Sequence, residues 1–158
     1  MAEPIPPHHS HCLGCGDENP ASLGPELAVE GERVPGSATL DRRHEGAPGF
    51  AHGGALATLL DDTLGSLLLV VGRPAVTGKL EVRYRSPAFL GRRFDVEAWV
   101  ERISGRKLVF AGEIREDQTT IAEARALFIE VDREHFLQGA GELPEGWMDF
   151  GRDELLPW

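Results

Sequence analysis

The pattern of apolar and polar positions changes sharply near the middle of the chain. From Gly53 to about Val71 the residues include Ala-Leu-Ala-Thr-Leu-Leu and then Leu-Gly-Ser-Leu-Leu-Leu-Val-Val, apolar nearly all round and free of proline. A helix of that kind in water must be wrapped on most sides by other structure. The spacing predicts one long helix, ended by Gly72-Arg-Pro74. Beyond it the pattern has period two. Val76, Leu80, Val82 and Tyr84 stand against Thr77, Lys79, Glu81 and Arg83; Phe94, Val96, Ala98 and Val100 stand against Asp95, Glu97 and Trp99. Leu108, Phe110 and Ile114 alternate with Lys107, Glu113 and Arg115, and residues 119–131 read as a last long strand. This alternation predicts antiparallel strands with one buried face. Ser104-Gly105 and Glu116-Asp117-Gln118 are their hairpin connections. Two short strands are expected earlier, Glu26–Glu30 and Arg33–Leu40, with Pro35 and Gly36 marking the second as an edge or a bulge.

One apolar helix among such strands has a simple solution. The class is α+β, with a curved antiparallel sheet wrapped around one long central helix as its single covering layer. Residues 1–23 carry no periodicity and are expected as an extended lead-in, residues 24–132 as the folded domain. Residues 133–158 hold Gly139, Gly141, Pro144 and Gly146 and are expected as a mostly irregular tail, pinned by Phe136, Trp147, Phe150 and Trp158.

Size and charge narrow the classes of function. A length of 158 residues suits one domain with a real core. The N-terminus lacks the basic and apolar regions of a signal peptide. The run Leu67–Val71 is far short of the roughly 20 residues that cross a bilayer. No membrane partner and a cytoplasmic location are therefore expected. A formal net charge of -10 argues against nucleic acid as a partner. An anionic small molecule is still compatible, because Arg42-Arg43, Arg83 with Arg85, Arg92-Arg93 and Arg106-Lys107 gather positive charge locally.

The richest stretch for chemistry runs from Glu45 to Asp62. Gly53 and Gly54 stand at the start of the long helix, where backbone N–H groups lack intrahelical partners and the macrodipole is positive. Glycine lets a ligand approach that backbone closely. A carbonyl developing negative charge needs such donors, and one can be worth about 3 kcal/mol. The plainer reading is a glycine turn for tight entry into the helix. Asp61 and Asp62 interrupt the apolar helix, which is costly unless each carboxylate finds a partner or water. Neighbouring helical residues point roughly 100° apart, so one is expected to be functional and the other solvated or structural. Asp61 lies roughly 12 Å along the axis from Gly53. If both serve one reaction, they must come from different protomers, which predicts a dimer.

Gly46-Ala-Pro-Gly-Phe-Ala-His-Gly-Gly-Ala-Leu-Ala-Thr-Leu-Leu-Asp-Asp62, Thr77-Gly-Lys-Leu-Glu-Val-Arg-Tyr-Arg-Ser-Pro87 and Ser104-Gly-Arg-Lys-Leu-Val109 together resemble the hotdog-fold acyl-CoA thioesterase superfamily. The likeness is to the branch holding the phenylacetyl-CoA type and the mammalian mitochondrial long-chain type, and covers about residues 12–131. The resemblance implies hydrolysis of an acyl-CoA thioester to a free acid and coenzyme A, in a homodimer or a dimer of dimers (a homotetramer). It implies Asp61 as general base or nucleophile, with the Gly53 N–H and neighbouring His52 holding the carbonyl oxygen. Thr77 matches a position near the attacking water, and its place on the non-core parity of its strand allows that. Gly54, then Tyr84, Arg85, Ser86, Pro87, Ala88 and Phe89, and Ser104, Gly105, Arg106 and Lys107, match segments that hold the substrate. Arginine suits phosphate because its planar fork donates in pairs. Gly46, Ala47, Pro48 and Gly49 depart from the family, one group of which has an Asn shortly before the His-Gly-Gly. No cofactor is implied beyond the coenzyme A of the substrate. Two other readings use the same fold: a non-catalytic acyl-CoA binder, and a hydratase or dehydratase. The latter needs an acid/base His paired with a carboxylate elsewhere in the fold.

The segment His8-His-Ser-His-Cys-Leu-Gly-Cys-Gly16 places Cys12 and Cys15 at metal-ligand spacing, with His8, His9 and His11 close by. No second Cys pair or His-x-x-x-His follows, and the Cys-x-x-Cys-Gly lead-in recurs in bacterial relatives without implying metal. The expectation is no metal, and reduced thiols in a loop.

Overall fold

The structure, a computed structural model, describes residues 1–148 and 150. Seven strands form one antiparallel sheet: β1 (Glu3–Ile5), β2 (Glu26–Val29), β3 (Arg33–Thr39), β4 (Ala75–Tyr84), β5 (Arg93–Ser104), β6 (Lys107–Glu116) and β7 (Thr119–Glu130). Their order is β1-β2-β3-β5-β6-β7-β4. The sheet packs around helix α1 (Gly53–Ser66), which is followed by the short α2 (Leu68–Val71). This is the expected α+β hotdog arrangement.

The apolar helix explains the core. Leu56, Leu59, Leu60 and Leu64 are buried against Phe94, Val96, Ala98, Phe110, Ile114, Ala122, Ala126 and Phe128 of the sheet. Phe110 and Phe128 meet with ring centroids 5.2 Å apart. The stretch Gly53–Val71 has a mean hydropathy of 1.6 and would suit a membrane span by length and composition; half of its residues are buried inside the fold.

Four expectations need correction. The long helix is broken at Leu67, whose N–H donates to Leu64 O at 3.1 Å while Val70 N–H donates to Leu67 O at 2.9 Å. These tighter i to i+3 turns separate α2 from α1. The lead-in is not wholly without secondary structure, because Ile5 of β1 pairs with Leu27 of β2. Strand β3 is not an edge, for it pairs with both β2 and β5 and keeps an unbroken register with β5. Pro35 is tolerated there because it falls between the Leu27–Gly36 pair and the Glu30–Arg33 bridge. Gly36 is needed for the close approach of β2, since a Cβ there would lie 2.4 Å from Glu26 O.

The fourth correction concerns β4. Thr77 pairs with Phe128 but Lys79 pairs with Leu127, so Gly78 is an extra residue in a bulge. Residues opposite each other share a face of the sheet. Thr77 therefore lies on the face of buried Phe128, together with Leu80, Val82 and Tyr84, which pair with Ala126, Ala124 and Ala122. Val76, assigned to the core parity by alternation, pairs with Ile129 on the opposite face. A one-residue insertion exchanges the two faces of a strand.

After β7 the tail makes a short 3₁₀ turn (Arg133–Phe136) and helix α3 (Leu137–Ala140). Trp147 packs on His8 and Phe136, with centroids at 5.5 and 5.8 Å. Phe150 is partly buried against the core, and Trp158, the fourth expected pin, lies outside the described residues.

Phe110 has no exposed surface. Truncating it by Phe110→Ala is expected to destabilise the fold by about 3–5 kcal/mol, read as a lower urea midpoint at unchanged slope.

Candidate active site

At the helix start, His52 is the N-cap and its Nδ1 accepts the Gly54 N–H at 2.8 Å. A ring nitrogen that accepts leaves its proton on the other nitrogen, so His52 is held as the Nε2–H tautomer. This capping bond occupies Gly54. The Gly53 N–H, one position earlier, has no intramolecular acceptor among the described residues. Tyr84 donates its hydroxyl to Gly53 O at 2.7 Å. Ala51 N–H donates to Ala88 O at 2.8 Å, and Phe50 stacks on Phe89 at 5.1 Å. The strand-end segment Tyr84–Phe89 is thus drawn to the helix start.

The loop that departs from the family is tight. Gly49 N–H donates to the Glu45 carboxylate at 2.9 Å, and Gly46 N–H to Phe50 O at 2.9 Å. Glu45, Arg43 and His44 line a hollow of about 270 Å³ beside His52 and Gly54. Glu45 opens the stretch rich in candidate chemistry but has no assigned role in the sequence, because its place beside His52 depends on this loop folding back.

The two carboxylates of the helix point to different neighbours. Asp61 Oδ1 accepts the Thr77 hydroxyl at 2.9 Å. Burial pushes the Asp61 carboxyl above the ordinary carboxylate range, and the Thr77 bond pulls it back in part. The β4 bulge makes this contact possible by turning Thr77 to the helix side. Asp62 faces the lead-in, with Cys12 Sγ 3.5 Å from its Oδ1. Its carboxyl is also raised by burial, against the opposing influence of His8 and Cys12. Asp61 and Asp62 both line a largely apolar cavity of about 550 Å³, walled by residues of the lead-in, β4 and the tail. Leu56 and Leu60, on the same helix, belong to the core.

The hairpin Ser104-Gly105-Arg106-Lys107 lies at the other end of the sheet from Tyr84–Phe89. Lys107 pairs with Ile129, which pairs with Val76 near the start of β4, whereas Tyr84 pairs with Ala122 at its end. Ten residues of strand separate the two ends by roughly 30 Å. Arg106 is tied to Glu130 O at 2.8 Å, and Gly105 O accepts from Arg73 at 2.8 Å. Ser104 and Lys107 line a shallow groove of about 460 Å³ on the outer face, with Lys79, Arg102 and Arg125. Arg85 pairs with Glu123 at 3.0 Å, and Arg92 with Glu116 at 3.1 Å. Exposed pairs of this kind are weak and leave the arginines able to exchange partners. The chain therefore holds two separated groups: Gly53, His52 and Tyr84–Phe89 at one end, Asp61 and Thr77 toward the other.

Known proteins share parts of this sequence and much of this arrangement. Residues 48–123 match the sequence profile of the thioesterase superfamily. Acyl-coenzyme A thioesterase THEM4 of Xenopus laevis is 39% identical over 89 residues, covering 55% of this chain and 40% of that protein. The chain thus spans well under half of this relative's length. The crystal structure of a thioesterase superfamily protein superposes with a TM-score of 0.71 at 31% identity, covering 76% of this chain and 60% of the other. A Streptococcus mutans protein bound to acetyl CoA gives a TM-score of 0.64 at 20% identity, covering 68% and 88%. The sheet wrapped on α1, the helix-start glycines and the profile match converge on one conclusion: residues 48–123 are similar to the thioesterase superfamily, and the chain has the hotdog fold of its solved members.

Proposed function

We propose that this protein hydrolyses an acyl-CoA thioester to a free acid and coenzyme A, in sites assembled by two protomers. The observation that carries the reading is the half-buried Asp61 carboxylate, held by the Thr77 hydroxyl at 2.9 Å beside an edge strand. Thr77 fixes one carboxylate oxygen and leaves the other free to take a proton from water, or to attack the carbonyl itself. A carboxyl raised by burial is a better base than a solvated one. As water or carboxylate adds to the thioester carbon, the carbonyl oxygen becomes an anion and needs a donor already in place. The Gly53 N–H at the positive end of α1 suits that role. Collapse of the intermediate breaks the carbon–sulfur bond, and coenzyme A leaves as its thiolate. If Asp61 is the base, its proton passes to that thiolate. If Asp61 is the nucleophile, water then cleaves the acyl–aspartyl anhydride to the free acid, and the released proton goes to the thiolate.

The dimer follows from reach. Within one chain the donor and the carboxylate lie roughly 12 Å apart along the helix, too far for a single carbonyl. Strand β4 is last in the sheet, so one of its sides is free to pair among the described residues. Antiparallel pairing of two β4 edges about a two-fold axis sets the start of one strand beside the end of the other. Asp61 and Thr77 then face the partner's Gly53 and Tyr84–Phe89 segment, and each dimer has two composite sites. Tyr84 sets the Gly53 peptide, Phe50 and Phe89 provide an apolar wall, and the arginines beside them offer charge for phosphates. The name of the Xenopus laevis relative and the acetyl CoA in the Streptococcus mutans fold neighbour favour the same ligand class.

Free thiol released from a panel of short, long and aromatic acyl-CoAs tests the chemistry. Asp61→Asn is expected to lower kcat by about 10²–10⁴-fold without unfolding the protein. Full turnover by this variant would remove Asp61 from the reaction, and coenzyme A binding with no hydrolysis across the panel would favour a binding protein.

The composite site has its own test. Gly53→Pro deletes the N–H at the first helical position, where proline is tolerated. It is expected to be inactive alone, as is Asp61→Ala. Mixing the two under subunit exchange is expected to restore about a quarter of wild-type activity, since half the dimers then hold one intact site of two. No restoration in verified mixed dimers would exclude a shared site.

A further inference from the structure

A second cluster lies beside the Asp61–Thr77 pair, and the proposed hydrolysis makes no use of it. His8, Cys12, Cys15 and Asp62 each present one ligand atom, and these atoms all lie within 4.8 Å of one another. Cys15 Sγ is 2.9 Å from His8 Nδ1, and Cys12 Sγ is 3.5 Å from Asp62 Oδ1. The donors come from three places in the chain: residue 8, the Cys12–Cys15 turn and the middle of α1. Ligands bound tetrahedrally to zinc sit roughly 3.3–3.8 Å from one another, so the cluster closes with side-chain shifts of at most about 1 Å.

Three observations favour a cation over a hydrogen-bonded thiol pair. Asp62 Oδ2 is buried and has no hydrogen-bond partner, a gap of the kind that an ion fills. Gly14 N–H lies 3.3 Å from Cys12 Sγ, a backbone donor in position to support a sulfur ligand. The turn is also shaped to the carboxylate: a Cβ at residue 14 would lie 2.4 Å from the Asp62 side chain, so only glycine fits. The donor chemistry selects the metal. Two sulfurs and an imidazole suit zinc and disfavour magnesium and calcium, which take oxygen ligands.

We propose that His8, Cys12, Cys15 and Asp62 bind one zinc ion that clasps the lead-in to helix α1. Binding displaces the thiol protons of both cysteines to solvent. Four protein ligands leave no open coordination position, which makes this a structural ion and not a second hydrolytic centre. Its ligand Asp62 is the chain neighbour of Asp61, and both line the same 550 Å³ cavity. The clasp therefore stiffens the helix where the carboxylate pair must part to opposite neighbours. Cys-x-x-Cys spacing is visible in the sequence, but the fourth ligand arrives only with the fold, from 47 residues beyond Cys15.

The test reads metal, not hydrolysis, so it is independent of the proposed activity. The full chain is purified under reducing conditions, dialysed against metal-free buffer and analysed for zinc by mass spectrometry, then exchanged with Co²⁺. About one zinc per chain is expected, with a cobalt spectrum showing sulfur-to-metal charge transfer and intense tetrahedral visible bands. Cys12→Ser with Cys15→Ser, and Asp62→Asn, are expected to reduce retained zinc at least tenfold. His9→Ala with His11→Ala, which removes the neighbouring imidazoles, should retain it. Thiols that react freely with no metal retained would overturn the proposal, as would a Cys12–Cys15 disulfide under reductant. So would zinc that survives the cysteine changes but is lost with His9 and His11. If the serine variant does not fold, the wild-type cobalt spectrum still decides, because charge-transfer bands require thiolate ligation.

Discussion

A helix that is apolar on most sides yet carries two adjacent carboxylates restricts what can surround it. Its leucines must be covered, and a single curved sheet does so, with Leu56, Leu59, Leu60 and Leu64 packed on the inner side chains of the long strands. The carboxylates cannot enter that core unpaired without a large desolvation penalty. They come out instead where the cover ends, Asp61 toward the edge strand and Asp62 toward the lead-in. The candidate chemistry of the protein sits at these two exits.

The edge strand meets the first carboxylate through a local irregularity. In a regular β4, Thr77 would face away from the helix and Val76 toward it. The bulge at Gly78 exchanges them, and the hydroxyl reaches Asp61 at 2.9 Å. Bulges commonly re-aim a side chain in this way near functional sites. The lead-in meets the second carboxylate through a glycine turn that leaves room for it. Both devices add little area to the core. Their effect is to place one polar atom.

The separation of the helix-start N–H from the Asp61 carboxylate within the chain has the same origin. A helix start offers free N–H groups only at its first turn, whereas the carboxylates lie two turns later, so no single helix can bring them to one carbonyl. Tyr84 and Phe89 accompany the helix start because β4 ends there, and the Ser104–Lys107 hairpin lies near the beginning of β4. Strand β4 runs between the two ends and, like β1, has one side without a strand partner among the described residues.

Periodicity alone was enough to place the central helix, the four long strands and their hairpins, because alternation and apolar content follow directly from which face is buried. The motif residues around Gly53 and Asp61 were legible for a related reason: glycine at a helix start and acid in an apolar helix are both costly without a use. The break at Leu67, the interior position of β3, the face of Thr77 and the partner of Asp62 were not legible. Each depends on pairing register or on contact between segments distant in the chain, and a period-two pattern carries no information about an inserted residue or a remote neighbour. Local composition thus determined which elements form and which residues are unusual. Tertiary packing alone decided which of those residues meet, because a carboxylate's partner is set by what the fold brings within about 3 Å of it.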